Sequence, residues 1–175
     1  MQLAKSLDEI HARARGAEEI VKTYVIASVG TALIPIPVVD VAALTAVQLK
    51  MLHALSRHYD VAFLKDIGKS ITASLLGGLF TGSATGPMAA SLVKLIPGYG
   101  SAVGLVSLSI IGSASTYAIG KVFIQHFESG GTFLDFDPEA VREHFMREFE
   151  QGKTLAAELK ASASNSQQRR DGSRE

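Results

Sequence analysis

From Ser70 to Gly120 the chain carries a single charged side chain, Lys94. No other feature constrains its folding so strongly. A bilayer core about 30 Å thick is crossed by roughly 20 apolar helical residues, and Lys94 divides this stretch into Ser70–Val93 and Leu95–Gly120, each long enough to cross once. Between them lies Lys94-Leu-Ile-Pro97-Gly98-Tyr-Gly100. Pro97 lacks an amide donor and the two glycines accept positive φ, so the chain is expected to reverse there. The stretch reads as a helical hairpin embedded in a membrane, and a mean hydropathy of +0.22 agrees with that reading.

The hairpin is rich in small residues. Gly78, Gly82 and Gly86 recur at every fourth position, with Gly104 in the second half. Small residues let helix backbones approach closely, so this stripe is expected to act as a glycine zipper, within one chain or between copies in a homo-oligomer. The alternative is a tightly packed soluble helix pair. Pro87 is expected to kink or break the first half.

A third uncharged stretch, Thr23–Val39, is interrupted by Pro35-Ile-Pro37 and followed by Asp40. It predicts a helix that stops near Ile34 and restarts after Asp40, which acts as its cap. It spans, re-enters or is buried; the residues leave all three open. Beyond it, Val41, Leu44, Gln48, Met51, Leu52, Leu55 and Tyr59 fall near one face of an amphipathic helix. Gln48 sits in that apolar face, where an unpartnered amide costs about 1–3 kcal/mol. A bridge to another helix is therefore expected, with a Gln at the face edge reaching water as the alternative.

The amino-terminal flank repeats Leu3, Leu7, Ile10, Ala14, Ala17, Val21 and Tyr24 at alternating spacings of four and three. This is a heptad seam, weakened by two alanines, that packs on the chain's own helices or on a partner helix. Its interspersed charges do not suit a cleavable secretory sequence. At the other end, the helix through Lys121-Val-Phe-Ile-Gln-His-Phe127 is expected to break at Ser129-Gly130-Gly131, and Asp137-Pro138 predicts the start of a last helix with an apolar stripe of Val141, Phe145 and Phe149. From Ala163 onward nothing can be buried, and a disordered tail is expected. The reading divides the chain into an amphipathic helix (1–22), a membrane-associated helical domain (23–131), a second amphipathic helix (132–162) and a tail (163–175).

Chemistry is conspicuously lacking. Seventeen basic residues balance seventeen acidic ones, which gives no net field for a nucleic-acid backbone. With no cysteine there is no thiolate nucleophile, disulfide or cysteine zinc site. Gly68-Lys69-Ser70 resembles the end of a phosphate-binding loop, but Phe63 occupies the first glycine position and no strand precedes it. His11, His53, His58, His126 and His144 are scattered, and Asp135-Phe136-Asp137 lacks the rest of a calcium loop. No catalytic residue, cofactor or metal is expected, and the protein is read as non-enzymatic.

Several of these residues together resemble a known bacterial family. They are Ile34-Pro-Ile-Pro37, Asp40, Leu44-Thr45, Gln48, Met51 and Tyr59, then Lys94-Leu-Ile-Pro97-Gly98-Tyr-Gly100, Gly104 and Thr116-Tyr-Ala118-Ile-Gly120. In order and spacing they are similar, over roughly Val21 to Gly131, to the domain of unknown function shared by YcjF-type inner-membrane proteins and by proteins carrying it behind an Era-like GTPase domain. The resemblance implies a mostly helical, membrane-associated module without established catalysis, sometimes coupled to a GTPase. This chain shows no G domain, so any such coupling would act in trans.

The resulting expectation is an all-α protein of the bacterial inner membrane, its glycine-rich hairpin in lipid and its amphipathic flanks offered to a cytoplasmic partner. Lys65 and Lys69 before the hairpin, and Lys121 and Arg142 after it, outnumber Lys94 at its tip, which puts both termini in the cytoplasm. Pro37, Asp40, Gln48, Gly78, Gly82, Gly86, Pro97, Gly98, Gly100 and Gly104 are assigned packing and turn roles. Two alternatives are a small oligomeric pore and a soluble or peripheral helical protein that binds lipid or a partner.

Overall fold

The amino-terminal seam forms one long helix, α1 (Gln2–Thr31), in the computed structural model, which describes residues 2–31, 37–81 and 101–171. Ala17, Val21 and Val25 are fully buried along it. The seam packs on the chain's own helices over this half, whereas Leu7 and Ile10, earlier on the same seam, are exposed.

The second helix, α2 (Pro37–His58), begins at Pro37. Asp40 therefore lies in its first turn and is not the cap ahead of it. Proline suits a first helical position, since its φ is already helical and its missing amide is one that a helix start leaves unbonded. Helix α1 is described as far as Thr31, and the expected stop near Ile34 lies outside the described residues. After α2 the chain turns through Asp60 at φ 57°, and the Val61 amide bonds back to the Ser56 carbonyl at 2.7 Å. An extended stretch then leads into α3 (Lys65–Thr81). The Gly68 amide donates to the Leu64 carbonyl at 2.8 Å, so Gly68-Lys69-Ser70 lies within the first turns of a helix and forms no loop.

Helix α4 (Ser101–Glu128) ends where the glycines predict. Gly130 takes a φ of +83°, its amide bonds to Phe127, and the Gly131 amide bonds to the His126 carbonyl at 3.0 Å; these close carbonyls the helix would leave open. The next turn is set by Asp137, whose Oδ1 accepts the Glu139 amide at 2.9 Å and the Ala140 amide at 3.4 Å. It feeds α5 (Arg142–Asp171). Here the structure corrects the expected disordered tail, because α5 continues through 163–171 as helix. Lengthening a helix already docked by Phe145, Phe149 and Ala156 adds a hydrogen bond per residue with no new nucleation step.

Five helices and no strand make up the described residues. Helix α4 is central and packs first on α5 and α1, then on α2; α3 touches it only marginally. Residues 82–100, which hold the rest of the expected first arm and its turn, lie outside the described residues. Ser113, Ala114, Ser115, Thr116, Ala118 and Ile119 are buried inside this bundle. No helix among the described residues is long and apolar enough to cross a membrane.

Aromatic packing closes one end of the bundle. Phe123 stacks on Phe136 at 4.5 Å and 8°, and Phe127 meets Phe133 edge-on at 5.5 Å. Such rings supply large buried areas with directional contacts. At this connection end lie the α2–α3 and α4–α5 links. At the opposite end α1 and α3 finish and α2 and α4 begin.

Candidate functional site

A polar cluster forms midway along α2 and α4 because α1, α2 and α4 each bring a hydrogen-bonding side chain to one point. Gln48 is fully buried, and its Nε2 donates to Ser115 Oγ at 3.2 Å and Thr116 Oγ1 at 3.4 Å. Ser28 Oγ lies 3.0 Å from Thr116 Oγ1. The hydroxyls of Ser115 and Thr116 also donate to the Gly112 carbonyl one turn back, at 2.8 and 3.0 Å. Sharing of this kind is how an apolar interior accommodates polar atoms. It is incomplete, since Gln48 Oε1 is buried with no hydrogen-bond partner. Gln48 thus links α2 to α4. Ser28 and Ser115 carry no sequence signal of their own, and Thr116 enters the sequence reading only through the family resemblance; the signal for all three is a lone amide in an apolar face, which demands hydroxyl partners on a facing helix.

Among the described glycines, Gly120 and Gly152 sit where two helices approach closely. A Cβ on Gly120 would sit 2.5 Å from Val21 Cγ2, and one on Gly152 would sit 2.9 Å from the Ala114 carbonyl oxygen. Gly120 sets the α1–α4 approach and Gly152 the α4–α5 approach. Gly78 lies beneath the Arg142 guanidinium, 3.2 Å from where its Cβ would be. Gly104 is in α4, and Gly82, Gly86, Pro97, Gly98 and Gly100 lie outside the described residues. Pro37 and Asp40 sit in the first turn of α2.

At the connection end a cleft of about 510 Å³ opens between Arg13, Tyr59, Val61, Glu128 and Leu134. The Tyr59 hydroxyl donates to Glu128 Oε1 at 3.0 Å. Burial first, and then the Glu128 carboxylate, hold the Tyr59 phenol protonated well above its ordinary range. The Arg13 guanidinium lies 5.0 Å above the Tyr59 ring and 3.5 Å from Asp60. His58 Nε2 is 2.8 Å from the Arg13 carbonyl. Nearby, Asp135 accepts hydrogen bonds from the Thr132 hydroxyl and amide, which keep its carboxyl below the usual range. Farther along α4, Lys121 pairs with Glu18; burial pulls its ammonium down, but the carboxylate more than offsets this and raises it.

These groups bind one another. Among the described residues no three His, Asp or Glu side chains are grouped to hold a metal ion. The arrangement is suited to holding helices in register and to presenting a mixed polar and apolar face.

The family model for the domain of unknown function DUF697 matches residues 1–154. Magnetosome membrane protein 22 of Magnetospirillum gryphiswaldense is 44% identical over 145 residues, covering 83% of this chain and 74% of that protein. No solved structure matches. The family match extends past the resembling segment on both sides, to the seam of α1 and to the aromatic stripe of α5, as the shared core of these helices requires; the chain belongs to the DUF697 family.

Proposed function

We propose that the protein is a non-enzymatic, membrane-associated helical module of the bacterial inner membrane, whose charge-poor end meets lipid while its flanking helices face a cytoplasmic protein partner. One observation carries this reading. Thr23–Val39 is free of charge and Ser70–Gly120 holds only Lys94, and the described parts of these stretches, in α1, α2, α3 and α4, run toward the same end of the bundle. Charge is costly in hydrocarbon, so helices poor in it are suited to lipid. The name of the 44%-identical magnetosome membrane protein supports the same reading. A GTPase acting in trans is the partner that the family resemblance suggests, and the glycine stripe offers a seam for self-association.

Alkaline carbonate extraction tests the proposal, combined with labelling of cysteines introduced singly at Tyr99 and Ser164, since the native chain has none. Retention in the membrane, with Tyr99→Cys labelled from outside and Ser164→Cys only from inside, is the expected result. Release into the soluble fraction overturns it.

A second reading, peripheral attachment, is favoured by Lys160, whose Nζ donates to Ser109 Oγ at 3.1 Å. A charged helix thus covers α4 inside its charge-poor stretch. Under this reading carbonate releases the protein and all sites label in the lysate.

A further inference from the structure

The seam of α1 outruns the bundle. Ala17 and Val21 are buried, but Ile10 and Leu7, earlier on the seam, are 60% and 48% exposed. In the α4–α5 connection, Leu134 is 75% exposed at the rim of the cleft that Arg13 also lines. Three of the four exposed large hydrophobic side chains among the described residues thus lie at the connection end, the fourth being Ile26.

Carboxylates outnumber cations around them. Between Glu128 and Val141 the chain holds Glu128, Asp135, Asp137 and Glu139, all exposed, and neither lysine nor arginine; Arg142, next along the chain, pairs with Glu139 and leaves the other three. Asp60 adds an exposed carboxylate on the cleft, where Arg13 is already engaged by it and by the Tyr59 ring.

We propose that this end docks a helical segment of a protein partner whose apolar face is flanked by lysine and arginine. The proposal rests on the adaptor reading above and supplies the chemistry of its partner. A seam spaced four and three accepts side chains of an opposing helix, and the acidic rim selects a basic one. The same rim disfavours an anionic bilayer surface, and two copies meeting here would bring their own carboxylates together.

The test uses the full chain in zwitterionic nanodiscs, with Ala12→Cys carrying a fluorophore beside the seam. Two synthetic amphipathic peptides share one leucine face, flanked by lysine in one and by glutamate in the other. The lysine peptide is expected to bind at least about tenfold more tightly, with an affinity that falls as salt rises. Combined Leu7→Ser, Ile10→Ser and Leu134→Ser substitutions are expected to weaken it by at least about tenfold while the unfolding midpoint holds, since all three side chains are exposed. Equal binding of both peptides, or an unchanged affinity in the variant, overturns the proposal. So does crosslinking of two copies through these side chains, which gives the face to a second copy, or loss of flotation with anionic vesicles in the variant, which gives it to lipid. Carbonate retention of the wild-type chain is read separately, so failure of the membrane reading is distinguishable from failure of this one.

Discussion

Gln48 is retained in an apolar helix face at a cost that its surroundings only partly offset. Its amide group has two hydroxyl partners, while its carbonyl oxygen has none. Replacing it with methionine removes the orphan and leaves Ser115 and Thr116 donating to Gly112, so Gln48→Met is expected within about 1 kcal/mol of wild type in denaturant unfolding. Gln48→Glu buries an unpaired charge and is expected to cost about 3 kcal/mol or more, or to refold with a proton taken up. Tyr59 gives a pH signature with a definite sign. Its phenol is raised above the ordinary value of 10.0 in the folded state, so its bond to Glu128 stabilises fully below that pH, and the contribution fades as pH rises beyond it. Burial raises the Tyr117 phenol as well, so in a tyrosinate absorbance titration two of the four tyrosines are expected to ionise late, and one of the two delayed steps should vanish in Tyr59→Phe while the other stays.

At the scale of the helices, close approach separates glycines that a sequence pattern cannot tell apart. Gly120→Ala and Gly152→Ala push α1 and α5 from α4, and each is expected to lower stability by about 1–3 kcal/mol. Gly78→Ala meets only the Arg142 guanidinium, which can swing aside, and it gains up to about 1 kcal/mol of helix propensity. Thermal unfolding of the three variants checks the order. The seam of α1, the apolar face of α2, the glycine stop after α4 and the Asp137 turn were all legible, because each is set by neighbours within a turn or two. The start of α2 at Pro37 was misjudged because two local signals compete, and the proline's fixed φ outweighed the aspartate's capping preference.

For the molecule as a whole, the flanks are structural parts of the bundle. Phe145, Phe149 and Ala156 are buried against α4 and its neighbours, whereas 163–171 extend as helix beyond them. A chain ending at Val141 is expected to lose cooperative unfolding, and one ending at Ser162 to keep a near-native midpoint; circular dichroism melts distinguish the two. A strongly destabilised Ser162 truncation would mean that the last turns of α5 cover part of the bundle.

Taken alone, the sequence determined the all-α class, the family, the order of the helices and the charge-poor stretches, because periodicity, capping chemistry and charge distribution are written locally. Only the tertiary structure decided that α4 packs on α5 and α1 and hardly on α3, that Ser28, Ser115 and Thr116 answer Gln48, and that the seam of α1 is half buried and half bare. These depend on which faces meet across a hundred residues of chain, and the balance of buried area, hydroxyl partners and glycine clearances that selects those meetings exists only once the helices are together.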